Sequence, residues 1–228
     1  MARRAQRVER PLPAPLPPAQ RTVGQLVAES IKLYGRHFMH ALPLGVIVAA
    51  INQLTVDADR MVVGGILLLA APVFSAGYAY ACQLEAESQV ARGSWATAIV
   101  VGTLIFVPAA LLFPWFALAA VLWLALVGLA VPAAMHEGTS FTESLRRGFA
   151  LGRVDYVHAA GALATLVILF FITRFGLALL LESQAENTVR TAIFLADAVL
   201  APLLFLGGAI LYVDQDARLR ARGPETKE

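Results

Sequence analysis

Little in this sequence suits a soluble enzyme. Only 15% of its 228 residues are charged while 58% are hydrophobic, which excludes an ordinary water-soluble domain. Cysteine is almost missing. Cys82 alone can form no internal disulfide and has no companion thiol for a zinc site, so it reads as a small packing residue. Histidine occurs four times, as His37, His40, His136 and His158. All four fall near helix ends on one expected side of the chain, but a zinc site needs ligands that converge, and anchoring at a membrane interface is the simpler reading. No nucleophile, base and acid stand in a catalytic pattern. The chain is therefore expected to be no enzyme, with no catalytic, cofactor-binding or metal-binding residues. Lysine is scarce too, two against sixteen arginines, a bias that points to a high-GC bacterial genome.

The first residues lack what a signal peptide needs. Arg3, Arg4, Arg7 and Arg10 resemble its basic region, but PLPAPLPPAQ, Pro11 to Gln20, offers neither an apolar core nor a small-residue cleavage site. Residues 1–21 are expected to form a disordered, polyproline-biased tail. Within it, Pro15-x-x-Pro18 reflects composition rather than a docking ligand.

What the chain does have is long apolar runs. Six are long enough to cross a hydrocarbon core of about 30 Å: Phe38 to Val56, Met61 to Leu84, Trp95 to Phe113, Pro114 to Met135, Tyr156 to Leu181, and Thr191 to Val213. Nothing charged separates the third from the fourth. Pro108 and Pro114 place a reversal there, because missing backbone donors favour a turn over one continuous helix. The expected fold is all-α and polytopic, with six transmembrane helices in a membrane domain at 22–213 and a charged tail at 214–228. Under this assignment 15 of the 18 cations share one side, Arg60 and Arg190 lie opposite, and Arg174 falls within a span. Cations at span ends remain cytoplasmic, so both termini are expected there, in a bacterial cytoplasmic membrane. Such one-sided basicity reflects topology and anionic head groups and calls for no nucleic acid.

TVGQLVAESIKLYGRHF, Thr22 to Phe38, leads into the first span. Val23, Leu26, Val27, Ile31, Tyr34 and Phe38 recur at helical steps, with Gln25, Glu29, Lys32 and Arg36 on the other face, the pattern of an amphipathic helix. Thr22-x-x-Gln25 predicts a capping box. Such a helix can lie in the cytoplasmic interface, anchored through Leu26, Ile31 and Tyr34. A similar stretch, SFTESLRRGFALGRVDY, Ser140 to Tyr156, follows 118 residues later and offers Phe141, Leu145 and Phe149 as anchors. FSAGYAYACQLEA at Phe74 also resembles FLGGAILYVDQDA at Phe205. Together these predict a weak parallel internal repeat, each unit an interfacial helix and two spans, around a pseudo-twofold axis along the membrane normal. That axis would let His40 and His158 approach each other.

The two lead-ins and the ending LYVDQDARLRAR resemble the membrane domain associated with glycerophosphoryl diester phosphodiesterases, in its stand-alone bacterial form. The resemblance covers about Thr22 to Arg222. It implies a polytopic helical domain without the catalytic barrel, since the His-Arg-Gly motif of the fused enzymes does not occur and Glu186-Asn187-Thr188 stands alone in an outer loop.

Two further features bear on function. Arg174 and Asp197 are the charges most clearly inside apolar spans, and a hairpin of the last two spans would bring them to one depth as an ion pair. Asn52 and Gln53 are expected opposite Gly64 and Gly65 in a close hairpin of the first two spans, while Gly45 with Ala49 and Ala160 with Ala164 read as close-packing pairs. The function expected is a noncatalytic integral membrane module that organises lipid or a partner protein. Its partners would be membrane lipids and a protein or a second copy of the chain. The alternatives are a small transporter or permease subunit, which needs a polar path, and a membrane enzyme acting on lipid head groups.

Overall fold

The structure, a computed structural model, describes residues 16–86 and 94–222. Arg3, Arg4, Arg7, Arg10, Pro15, Arg92 and Lys227, with most of the proline-rich segment, lie outside the described residues. Every regular element among those described is helical. A 3-10 turn at Pro18–Gln20 precedes α1 (Val23–Arg36), α2 (Phe38–Leu54), α3 (Arg60–Ala86), α4 (Ser94–Leu112), α5 (Ala117–Val127), α6 (Ala130–Glu137), α7 (Phe141–Val154), α8 (Tyr156–Leu180) and α9 (Glu186–Arg222). Five stretches are long and apolar enough to cross a membrane: α3, α4, α5 with α6, α8, and α9. The bent pair α1–α2 makes a sixth if it is counted as one span.

The lead-in helices begin and end for local reasons. Thr22 and Gln25 form the capping box, with the Thr22 N–H donating to Gln25 Oε1 at 2.9 Å. This satisfies a donor that the first turn leaves unpaired. α1 then stops at His37, and the chain turns through 106° into α2. At the second junction Asp155 caps α8, its Oδ1 accepting from the His158 N–H at 3.1 Å. A shift of 118 residues carries both ends of α1 onto those of α7, and the start of α2 onto that of α8. The same shift carries buried Leu26, Ser30, Leu33 and Tyr34 onto buried Ser144, Gly148, Leu151 and Gly152. In α3 and α9 a shift of 131 superposes buried Ala70, Ala71, Ser75, Tyr78, Ala79 and Ala81 on buried Ala201, Pro202, Leu206, Ala209, Ile210 and Tyr212.

Packing departs from the expected order of neighbours. α2 is laid against α9, and it touches α3 only lightly. The cause is Gly45, where a Cβ would overlap the Ala198 carbonyl, so glycine lets two backbones meet as small residues do in membranes. Asn52 and Gln53 accordingly face α9 and not the glycines of α3: Gln53 Nε2 donates to the Arg190 carbonyl at 3.1 Å, while Gly64 lies near Pro114. α3 instead packs along α4, where Ser75 Oγ donates to the Ile99 carbonyl at 2.9 Å. The chain reverses between α4 and α5 at Phe113–Trp115, around Pro114. The fourth apolar run is broken at Gly128 and Leu129 into α5 and α6. α7 wedges against this break, with Gly148 against Ala130 and Gly152 against the Leu126 carbonyl.

α2, α3, α4, α5, α8 and α9 enclose a common centre. A closed twofold would pack α8 on α3 as closely as α2 on α9, yet α8 and α3 are not packed together. The pseudo-twofold axis expected from sequence is therefore not realised in the helix contacts. The gap between α3 and α8 is filled by a cavity.

Candidate functional site

The cavity has a volume of about 490 Å³, within the range of about 300–1,000 Å³ typical of small-molecule sites. Its wall is almost wholly apolar, with Phe74 and Tyr78 of α3, Phe106 of α4, Leu163 and Val167 of α8 and Phe205 of α9 among its residues. On α8 the lining runs from Leu163 to Arg174 and on α3 from Leu67 to Tyr78. At the helical rise, each is about 16 Å of wall, close to one leaflet of a hydrocarbon core of about 30 Å.

Asn52, Thr55 and Arg174 line one end of this wall, and the Tyr78 hydroxyl lies beside Gly208 toward the other. Arg174 Nη1 donates to Asp197 Oδ2 at 2.8 Å, and Asn52 Nδ2 donates to the same oxygen at 3.0 Å. Asp197 is 1% exposed and stands behind the lining, whereas the Arg174 side chain retains 25%. The chain folds this way because α8 and α9 form an antiparallel hairpin and α2 is drawn onto α9 at Gly45. A carboxylate at this depth is costly unless it is paired and hydrogen-bonded. Arg174 and Asn52 supply both kinds of partner, leaving Asp197 Oδ1 without a hydrogen bond from the protein.

At the opposite end, where α1, α7 and the last turns of α9 meet, charge is knotted rather than solvated. Asp214 is fully enclosed and accepts from Arg21 at 2.9 Å; Arg218 reaches Asp155 at 2.6 Å and the Arg21 carbonyl at 2.6 Å. Burial lifts the Asp214 carboxyl to about 6 against the pull of Arg21 and Arg218. A second knot joins Arg147 to Glu137 at 2.7 Å and to Asp216 at 2.6 Å, with Arg220 also on Asp216. Arg21 and Asp214–Arg222 are thus structural here, in segments that the sequence reading placed in tails. An interleaving of acids and arginines at Asp214, Asp216, Arg218 and Arg220 was the signal for it, since four-residue spacing favours pairing along a helix.

The remaining candidates are dispersed. Leu26 is enclosed completely and Tyr34 nearly so, and both pack into the core. Leu145 is partly buried against it. Ile31, Phe141 and Phe149 face outward, with Ile31 51% exposed. Among the histidines, His136 stacks on Tyr212 at 5.0 Å and approaches Glu85 at 3.5 Å, and His158 stands 4.0 Å from Asp214. His40 is exposed on α2. Among the described residues no group of three or more His, Cys, Asp or Glu side chains is placed to hold a metal ion. Cys82 is buried in the core between α3 and its neighbours.

Long apolar helices packed around an apolar cavity define a multi-pass helical membrane protein. Comparison with family models, with curated proteins and with solved structures returns no match for this chain.

Proposed function

We propose that the protein is a noncatalytic, six-span module of a bacterial cytoplasmic membrane that holds a lipid in its central cavity. The observation that carries this reading is the cavity itself: about as long as one leaflet is thick, apolar along most of its wall and charged at one end through Arg174, the polarity profile of an amphiphile. The one-sided cations support cytoplasmic termini, which puts the Arg174 end of the cavity in the outer leaflet. α1 and α7 lie along the cytoplasmic interface in this reading, supported by the 106° bend into α2 and by the outward-facing Ile31, Phe141 and Phe149. The matching burial registers support a parallel repeat, and the resemblance to the phosphodiesterase-associated membrane domain belongs to the same proposal.

Transport is the second reading, favoured by the repeated units around a central space. It needs polar groups along the whole path, whereas between the Asn52, Thr55 and Arg174 end and the Tyr78 hydroxyl the wall is apolar.

Native mass spectrometry of the gently extracted protein tests the proposal. Wild type should retain a lipid adduct, and Val167→Trp, which fills the cavity, should lose it while melting at a similar temperature. Equal adducts on both proteins would place the lipid elsewhere and reject the reading. Topology is tested separately with single cysteines in a Cys82→Ala background. An impermeant reagent on intact cells should label a cysteine at Ser183 and not one at Arg220, and the reverse pattern rejects cytoplasmic termini.

A further inference from the structure

The cavity's polar end has a definite sense of hydrogen bonding. Thr55 Oγ1 donates to the Asn52 carbonyl at 2.7 Å, so its hydroxyl offers a ligand only lone pairs. Asn52 directs one amide N–H to Asp197, which leaves its second N–H and its side-chain oxygen. Arg174 is different: a guanidinium carries five donors, and Arg174 directs one bond, from Nη1, to the protein. Its Nη2 and Nε make no hydrogen bond among the described residues, on a side chain that lines the cavity and is partly exposed. Asp197, which balances its charge, is withdrawn from the lining. The charge displayed at this end is cationic and fork-shaped, the geometry that matches a carboxylate or phosphate with two parallel hydrogen bonds.

The apolar part limits the other half of the ligand. Its depth matches one acyl chain spanning one leaflet, and aromatic residues narrow it where Tyr78 lies 6.4 Å from both Phe106 and Phe205, centroid to centroid. We propose that the cavity selects a single-chain amphiphile ending in an oxyanion, with the chain along α3 and α8 and the head group on the free edge of Arg174. This rests on the lipid-holding reading above and adds to it the chemistry of the head.

The test uses the full chain in nanodiscs of a zwitterionic phospholipid, with a fluorescent fatty acid as the bound probe. Palmitate, palmitoyl lysophosphatidate, hexadecanol and a hexadecyl trimethylammonium salt are the competitors. The oxyanions should displace the probe at concentrations about tenfold or more below the alcohol, a factor of the size expected for charge-assisted bonds, and the ammonium salt should be weakest. Palmitate acting alone identifies a carboxylate head and lysophosphatidate acting alone a phosphate head; either supports the oxyanion site. Arg174→Gln with Asp197→Asn removes both charges together and should abolish the preference, so that the oxyanions compete no better than the alcohol. Arg174→Lys keeps the charge without the fork and should show an intermediate preference. If the alcohol competes as well as both oxyanions, or the preference survives the double substitution, the oxyanion site is wrong and the lipid cavity still stands. If Val167→Trp binds every competitor as wild type does, the cavity reading has failed, and the head-group inference falls with it.

Discussion

α1 meets the bundle through Leu26, Leu33 and Tyr34, whereas at the same register α7 presents Ser144, Leu151 and Gly152. Leu26, Leu33 and Tyr34 pack α1 into the core beside α8 and α9, with Ser30 facing Gly207 of α9. Small residues bring α7 to backbone distance from the α5–α6 break. Position along the helix decides which residues are buried, and residue size decides how closely the helices meet. α7 therefore meets its neighbours backbone to backbone at Gly148 and Gly152, while α1 leans mainly on enclosed large side chains and on the Arg21–Asp214 clasp beside it.

Exchanging the two kinds of contact should break this comparison most visibly. Gly152→Leu forces a side chain onto the Leu126 carbonyl and should cost about 3 kcal/mol or more, while Leu26→Glu buries a carboxylate in an enclosed apolar site and should cost at least as much. Thermal unfolding in detergent reads both. Near-wild-type melting of the Gly152 variant would show that α7 can back away, and the distinction between the units would vanish.

Asp197→Ala strands Arg174 and should cost about 2–4 kcal/mol. Arg174→Ala combined with Asp197→Ala should recover part of that loss in a double-mutant cycle. Strict additivity of the single substitutions would show that the two charges are not coupled.

A smaller effect separates the clasp on α1 from the close contact on α7. Asp214 titrates near 6 in the folded protein, above its ordinary value of 3.8, so the folded state binds the proton more tightly. Stability from this group is present below about pH 4 and is lost as pH rises through 6. Arg21, Arg218, His158 and Glu29 surround it, so the comparison is made against Asp214→Asn, whose melting temperature should lack this component. Identical pH profiles for the two proteins would remove Asp214 as its source.

The smallest change is expected at Ile31. Ile31→Glu should alter stability in detergent by less than about 1 kcal/mol because the side chain faces outward, yet it should draw α1 away from the bilayer. Spin labels along Thr22–Phe38 should then lose their helical depth rhythm, whereas wild-type labels that show no rhythm would reject the interfacial placement.

The bounds of α1 and α7 and the reversal at Pro114 were legible in the sequence, because capping, amphipathic period and proline each act over a few residues. The partner of α2 was not, since adjacency in the chain suggested α3 and only the approach at Gly45 decides for α9. Nor was the end of α9. Acids at Asp214 and Asp216 look like an exit to water until Arg21 and Arg147 are seen to reach them. The cavity left no trace at all, because a residue facing lipid and one facing an apolar interior are chosen from the same set in a membrane. Arg174 was the exception, conspicuous because charge inside a span needs a reason.

The 37 residues of α9 make a rod about 55 Å long. One rod carries Asp197 beside the polar end, Phe205 and Gly208 in the cavity wall, and Asp214 and Asp216 in the two charge knots. Pro202, just before the cavity stretch, removes a rung from its hydrogen-bond ladder without interrupting the helix. The stretch from Phe205 to Arg222 therefore joins two places in one element: the wall of the cavity at one end and, at the other, the carboxylates gripped by Arg21 and Arg147.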